Sequence, residues 1–192
     1  MHDPYHRPIN QKGNIMQSIA KRGFFFGLIG LCLFANAQSV CQKKSGEMIC
    51  GPGEVDTIGA SGVFKAAETQ FKKRLVVKGQ AIMTNCRVNE MKVFGQALLS
   101  ESYISGKTDI YGHLDTINTQ FKQSVTVQSD QLRARGSSFT DLVISTTKAS
   151  SIVELLDNTI VAGDVVFRGQ PGTVLLSGGS RVTGKIINGK QQ

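Results

Sequence analysis

The segments LVVKGQAIM (75–83) and MKVFGQALL (91–99) carry the same Gly-Gln-Ala core sixteen residues apart. Taken as a marker, that glycine recurs at Gly62, Gly79, Gly95 and Gly112. Ser129 and Thr146 fill the next two phases, Gly163 restores glycine, and Gly184 follows after one longer excursion. A period near seventeen residues means a solenoid, because each turn is too small to bury an apolar face alone and must stack on its neighbours. No segment shows a convincing 3.6-residue period.

Two residues before each marker stand Val77, Val93, Ile110, Val127, Ile144, Val161 and Val182, with polar residues such as Lys92, Asp109 and Thr126 between the apolar ones. This is strand alternation, one face in and one out. A second apolar column, nine after the marker, holds Phe71, Val88, Ile104, Phe121 and Leu155, with Phe139 one place out of step. Two residues before it come Thr69, Cys86, Ser102, Thr119, Gly136 and Val153, mostly small, which makes Cys86 a small core residue rather than a nucleophile. A third column takes Ile82, Leu98, Leu132, Ala149 and Val166, and Asp115 breaks it. Three short strands per turn predict an all-β fold: a right-handed parallel β-helix of about seven to eight coils, ~17 residues each. A β-sandwich is the rival, but it does not require in-phase columns over seven turns. Glycine at the marker suits a corner with unusual φ or a close approach of the next coil.

The ends read differently. Lys21 and Arg22, the apolar run Gly23 to Phe34 and the small residues Ala35 and Ala37 form the pattern of a secretory signal peptide. The run is shorter than the roughly twenty residues that span a bilayer. Cleavage after Ala37 is expected, with residues 1–15 an upstream extension and no transmembrane helix in the remainder. The expected organisation is 1–37 removed, 38–56 a disulfide-containing segment or cap, 57–189 the β-helix and 190–192 a tail. Cys41 and Cys50 flank a polar, turn-rich stretch, and export permits the disulfide that we expect between them. Residues 1–37 hold four of the 22 Lys and Arg and one of the 14 Asp and Glu, leaving the remainder at +5. That mild charge, and export itself, argue against a nucleic-acid partner. The expected location is the periplasm, the outer-membrane surface or the cell surface.

The phrases NTIVAGDVVFRG (158–169) and TVLLSGGSRVTGKIING (173–189) place apolar-x-Gly-[Asp/Lys]-apolar at a short repeat. Over about Gly62–Gly189 the pattern resembles the bactofilins, polymer-forming β-helical cytoskeletal proteins. The resemblance implies a short β-helix that associates end to end through uncapped coils, without nucleotide.

Three classes of function follow. The first is a non-enzymatic structural or assembly protein of the bacterial envelope, partnered by itself or by other envelope proteins, for example as a subunit of a secretion apparatus. The second is a carbohydrate- or protein-binding module. Phe94 and Tyr111 occupy one outward column on successive coils, where aromatic rings either bind a sugar or partner or simply brace adjacent coils. The third is a β-helix polysaccharide lyase or hydrolase, or an acyltransferase. Here His113 and Asp130 fall one after their markers, as expected neighbours on adjacent coils, with Asp109 four before His113 on the same strand face. No phosphate loop, metal-ligand spacing, nucleophile elbow or dinucleotide fingerprint is present, and no cofactor is expected.

Overall fold

A computed structural model describes residues 40–146 and 151–192. The expected signal peptide, Thr147 and Ala149 lie outside the described residues. By contacts the chain divides into Met1–Ala37 and Gln38–Gln192, and all described residues belong to the second unit. The described residues are all β, without a helix, wound as a parallel solenoid of about eight turns. Among them no helix is long and apolar enough to cross a membrane, a statement that does not bear on strands.

Each turn contributes one strand to each of three sheets. The first sheet stacks 57–61, 74–78 and 90–94, then Thr108–Tyr111, Val125–Val127, Leu142–Thr146, Val165–Gly169 and Ile186–Ile187. The second stacks Glu47–Cys50, 63–67, 80–84 and 96–100, then Leu114–Ile117, Gln131–Arg135, Ser151–Leu156, Gly172–Leu176 and Gly189–Gln191. The third runs from 53–55 through Tyr103–Ile104, Gln120–Phe121, Ser138–Phe139 and Ile160–Val161 to Arg181–Val182. Early coils are smooth enough that Gly53–Ala67, Thr69–Thr84 and Arg87–Ser100 each run as one strand across two corners.

The core is the set of inward rows. Leu75, Met91, Val125 and Leu142 stack in one row of the first sheet, and Val77, Val93, Ile110, Val127 and Ile144 in the next, all buried. On the third sheet the row is Phe71, Val88, Ile104, Phe121, Phe139, Val161 and Val182. Phe139 is therefore in step, stacked on Phe121 at 4.8 Å between centroids and 9° between planes. Parallel strands stack about 4.8 Å apart, so like residues in successive turns fall directly into contact.

Two kinds of corner explain the sequence. At the first, Gly62, Gly79, Gly95 and Gly112 hold φ of 87°, 134°, 135° and 142°. A Cβ on Gly79, Gly95 or Gly112 would overlap the carbonyl oxygen of the glycine one turn earlier. Only glycine meets both conditions. At the corner between the second and third sheets, Glu68, Asn85, Glu101, Asn118, Gly136 and Asn158 take positive φ. Each is followed by a buried small residue: Thr69, Cys86, Ser102, Thr119, Ser137 and Thr159. Their hydroxyls turn back onto the carbonyl before the corner, as Ser102 Oγ does to Ser100 O at 2.8 Å and Thr119 Oγ1 to Ile117 O at 3.0 Å. They also accept backbone N–H groups of the neighbouring turn: Ser102 Oγ accepts from Cys86 N–H and Ser137 Oγ from Thr119 N–H, both at 3.1 Å. The ladder satisfies buried polar groups that a bend would otherwise orphan.

Cys86 sits on this ladder, 1% exposed, its Sγ 3.3 Å from Thr84 O. Burial pushes its thiol pKa up, against hydrogen bonds that favour the thiolate. Since serine and threonine fill the same rung elsewhere, Cys86→Ser is expected to change stability by less than about 1 kcal/mol in a denaturant titration. Thr108 is the opposite case. Its Oγ1 is buried with no hydrogen-bond partner, in the row between Met91 and Val125. Thr108→Val keeps the shape and removes the orphaned hydroxyl, and is expected to stabilise by about 1 kcal/mol in the same measurement.

The solenoid starts with a hairpin. Cys41–Lys44 pairs antiparallel to Glu47–Cys50 through a two-residue turn, Ser45 and Gly46, both at positive φ as a type I′ turn demands. The expected disulfide joins Cys41 and Cys50. Glu47–Cys50 then pairs parallel with 63–66, so the hairpin adds an antiparallel edge to the second sheet alone.

The later coils depart from the even count. The register places Gly169, not Gly163, opposite Thr146, a span of 23 residues. Gly163 instead packs by Thr140, and Gly184 stacks on Gly163, so both belong to the corner after the third sheet. Val161 and Val182 move with them into the Phe139 row. Ser137 rather than Gly136, and Thr159 rather than Val153, fill the small-residue row, while Val153 and Leu155 stand opposite Leu132 and Ala134 in the second sheet. The third apolar column is also corrected: Ala81, Ala97, Leu114 and Leu132 point inward, whereas Ile82 and Leu98 are half-buried on the outside in line with Asp115.

Candidate functional site

The exposed groups with most chemistry lie along the edge where the first sheet turns into the second. Phe94 precedes Gly95 and Tyr111 precedes Gly112, so the strand alternation sets both rings outward at the corner. Their register is one opposite the other. The rings stack at 4.8 Å between centroids and 16° between planes, and remain 39% and 36% exposed. Lys92, one alternate position earlier on the same face, holds its Nζ 5.0 Å from both centroids. This is a cation–π contact with two rings at once.

The same edge continues as a groove. Val127 stands opposite Ile110 and Ile144 opposite Val127, which puts Gln128 and Ser145 on the next rungs after Tyr111. Arg168 stands opposite Ser145 and ends the row. A groove of about 790 Å³ opens here, its walls including Gly112, His113, Gln128, Asp130, Gln131 and Arg168. An adjoining hollow of about 170 Å³ shares His113 and Gln131 and adds Arg133 and Glu154. Arg133 and Glu154 are an ion pair at 2.6 Å across two coils, and the hydrogen bond to Glu154 raises the guanidinium pKa further. The groove exists because the corner changes there. Ser129 replaces the marker glycine, and its Oγ both accepts from Gln131 N–H at 3.1 Å and donates to Gln131 O at 2.9 Å. The register leaves one residue more between Val127 and Leu132 than between Ile110 and Leu114, and that extra residue widens the bend.

Of the residues singled out in the sequence, His113 and Asp130 do line one groove. Leu132 stands opposite Leu114, however, which aligns Gln131 rather than Asp130 with His113. Asp109 is not on His113's face. It lies on Thr108–Tyr111, opposite Lys92 and Thr126, before the Gly112 corner that His113 follows. Its carboxylate meets Lys107 Nζ at 3.0 Å, an ion pair that raises the lysine's pKa. Lys92, Gln128, Gln131 and Arg168 are the site residues that counting along the sequence missed. Gln128 keeps the marker phase and was legible by it. Arg168 was hidden by the 23-residue coil.

Chemically the edge offers stacking surface, planar amide and guanidinium groups, and positive charge. It does not join His113 and Asp109 for proton transfer. Among the described residues no group of three or more His, Cys, Asp and Glu is placed to hold a metal ion. No protein family, curated protein or solved structure matches this chain.

Proposed function

We propose that this chain is a non-enzymatic structural or assembly protein of the bacterial cell envelope, a bactofilin-like β-helix in exported form, that associates through the end of its last coil. The observation that carries the reading is that end. Arg181–Val182, Ile186–Ile187 and Gly189–Gln191 pair only with the preceding turn among the described residues. Leu176, Val182 and Ile186 are partly buried there, and Ile187 is 43% exposed. Strand edges left unpaired among the described residues, over an apolar core, are a template for another β end, from a second copy or from an envelope partner. The Gly163–Gly184 stack and the apolar-x-Gly phrases that resemble the bactofilins support the same reading. The signal-like N-terminus supports export, and so does the Cys41–Cys50 disulfide, which persists in oxidising compartments.

A charge on this end separates association from folding. Ile187→Lys places a cation on an exposed edge position, a device that natural edges use against pairing. It is expected to lower the scattering mass of concentrated protein towards that of the monomer while the melting temperature moves by only a few degrees. Unchanged association in the variant would place the contact elsewhere.

A further inference from the structure

The edge between the first and second sheets carries a second property, independent of assembly through the coil end. Its outward row, Phe94, Tyr111, Gln128, Ser145 and Arg168, rises one rung per coil, about 19 Å over five rungs. We propose that this row, with the groove holding His113, Asp130 and Gln131, is a binding cleft for an acidic polysaccharide.

Four features select that ligand. The row is periodic, and its rungs repeat at a spacing close to one sugar ring of an extended chain, so it suits a polymer better than a single small molecule. One end is an aromatic platform: the exposed rings of Phe94 and Tyr111, fixed against each other, offer flat apolar surface to the C–H face of a sugar. Beyond the platform, Gln128, Gln131 and Arg168 supply planar, two-pronged groups that pair with neighbouring hydroxyl or carboxylate oxygens. Finally, the cations beside the row are not neutralised. Lys78, Lys92 and Arg168 have no carboxylate within ion-pair distance among the described residues, whereas Lys65, Lys72, Lys73 and Arg74 all do.

Other polymers fit less well. A peptide added as a strand needs free backbone groups, and here the strands are already paired on both sides within the solenoid. A nucleic acid needs many more cations than these three to neutralise its phosphates.

The test is titration calorimetry of the purified protein with a hexamer of galacturonate and, separately, with cellohexaose. The acidic hexamer is expected to bind, more weakly at high salt, and cellohexaose not. Arg168→Ala, at an exposed position with no ion-pair partner among the described residues, is expected to weaken binding at least about tenfold at an unchanged melting temperature. Tyr111→Ser is expected to weaken it similarly, and its melting curve shows how far loss of the ring pair also loosens the coils. Failure to bind the acidic hexamer, binding of the neutral one alone, or full affinity in Arg168→Ala would each overturn the proposal. None of these outcomes depends on the oligomeric state, which Ile187→Lys reads separately.

Discussion

Gly95→Ala is expected to lower stability by more than about 3 kcal/mol, and a larger side chain at this position is expected to prevent folding of the middle coils. Two independent conditions act at one atom. The backbone φ of 135° lies where L-residues are strained. The new Cβ would also overlap the Gly79 carbonyl oxygen one turn away, which is backbone and is itself held by stacking on Gly62. Relief would require the coils to part, and the inward rows on either side would lose contact. Gly59→Ala is the control. Gly59 has ordinary φ and open space where its Cβ would stand, so this change is expected to stay within about 0.5 kcal/mol. Equal effects of the two substitutions, measured by chemical denaturation, would refute the stacking argument.

Phe121→Ala is expected to cost about 3–5 kcal/mol. Phe121 is 2% exposed and stacks flat on Phe139, beneath Ile104 in the third-sheet row. Truncation leaves a cavity in mid-solenoid and removes an aromatic pair at once. In a solenoid each coil touches only its neighbours, so a weakened middle interface also loosens the coupling between the two halves. The expected melt is therefore broader as well as lower. A sharp transition near the native midpoint would show that the row does not carry the core.

The coils marked by Gly62 to Gly112 were legible in the sequence because their steps hold at 16 and 17 residues, and one glycine per turn marks the phase. Gly62, Gly79, Gly95 and Gly112 stack as the count requires. The count then failed at identifiable places. One extra residue near Ser129 shifted the second sheet, so that Leu132 stands opposite Leu114 rather than Asp115, the residue in line with Leu98. A longer coil between Thr146 and Gly169 let Gly163 keep a phase of seventeen by coincidence, while its neighbours in space became Thr140 and Asp141. Insertions in a solenoid change the corner, not the stacking, and a linear count cannot tell which corner has grown. The positive-φ corner was the other loss. Glu68 and Glu101 take a conformation usually reserved for Gly, Asn and Asp, and nothing in their identity announces it. The signal lay in the next residue, a small hydroxyl or thiol at every turn.

At the candidate site the same distinction holds. Phe94 and Tyr111 were legible as an outward pair because they flank marker glycines in the regular coils. The groove was not, since it is made where regularity ends. His113 and Asp130 share its wall through a widened bend, and Arg168 enters it from a coil of different length.

Association through the coil end is tested by sedimentation velocity of residues 38–192 over a concentration series, with the cystine intact and electron microscopy of the same samples. Mass is expected to rise with concentration and thin rods to form from coil ends, both suppressed by Ile187→Lys. A single species at the monomer mass across the series, with no rods, would contradict it.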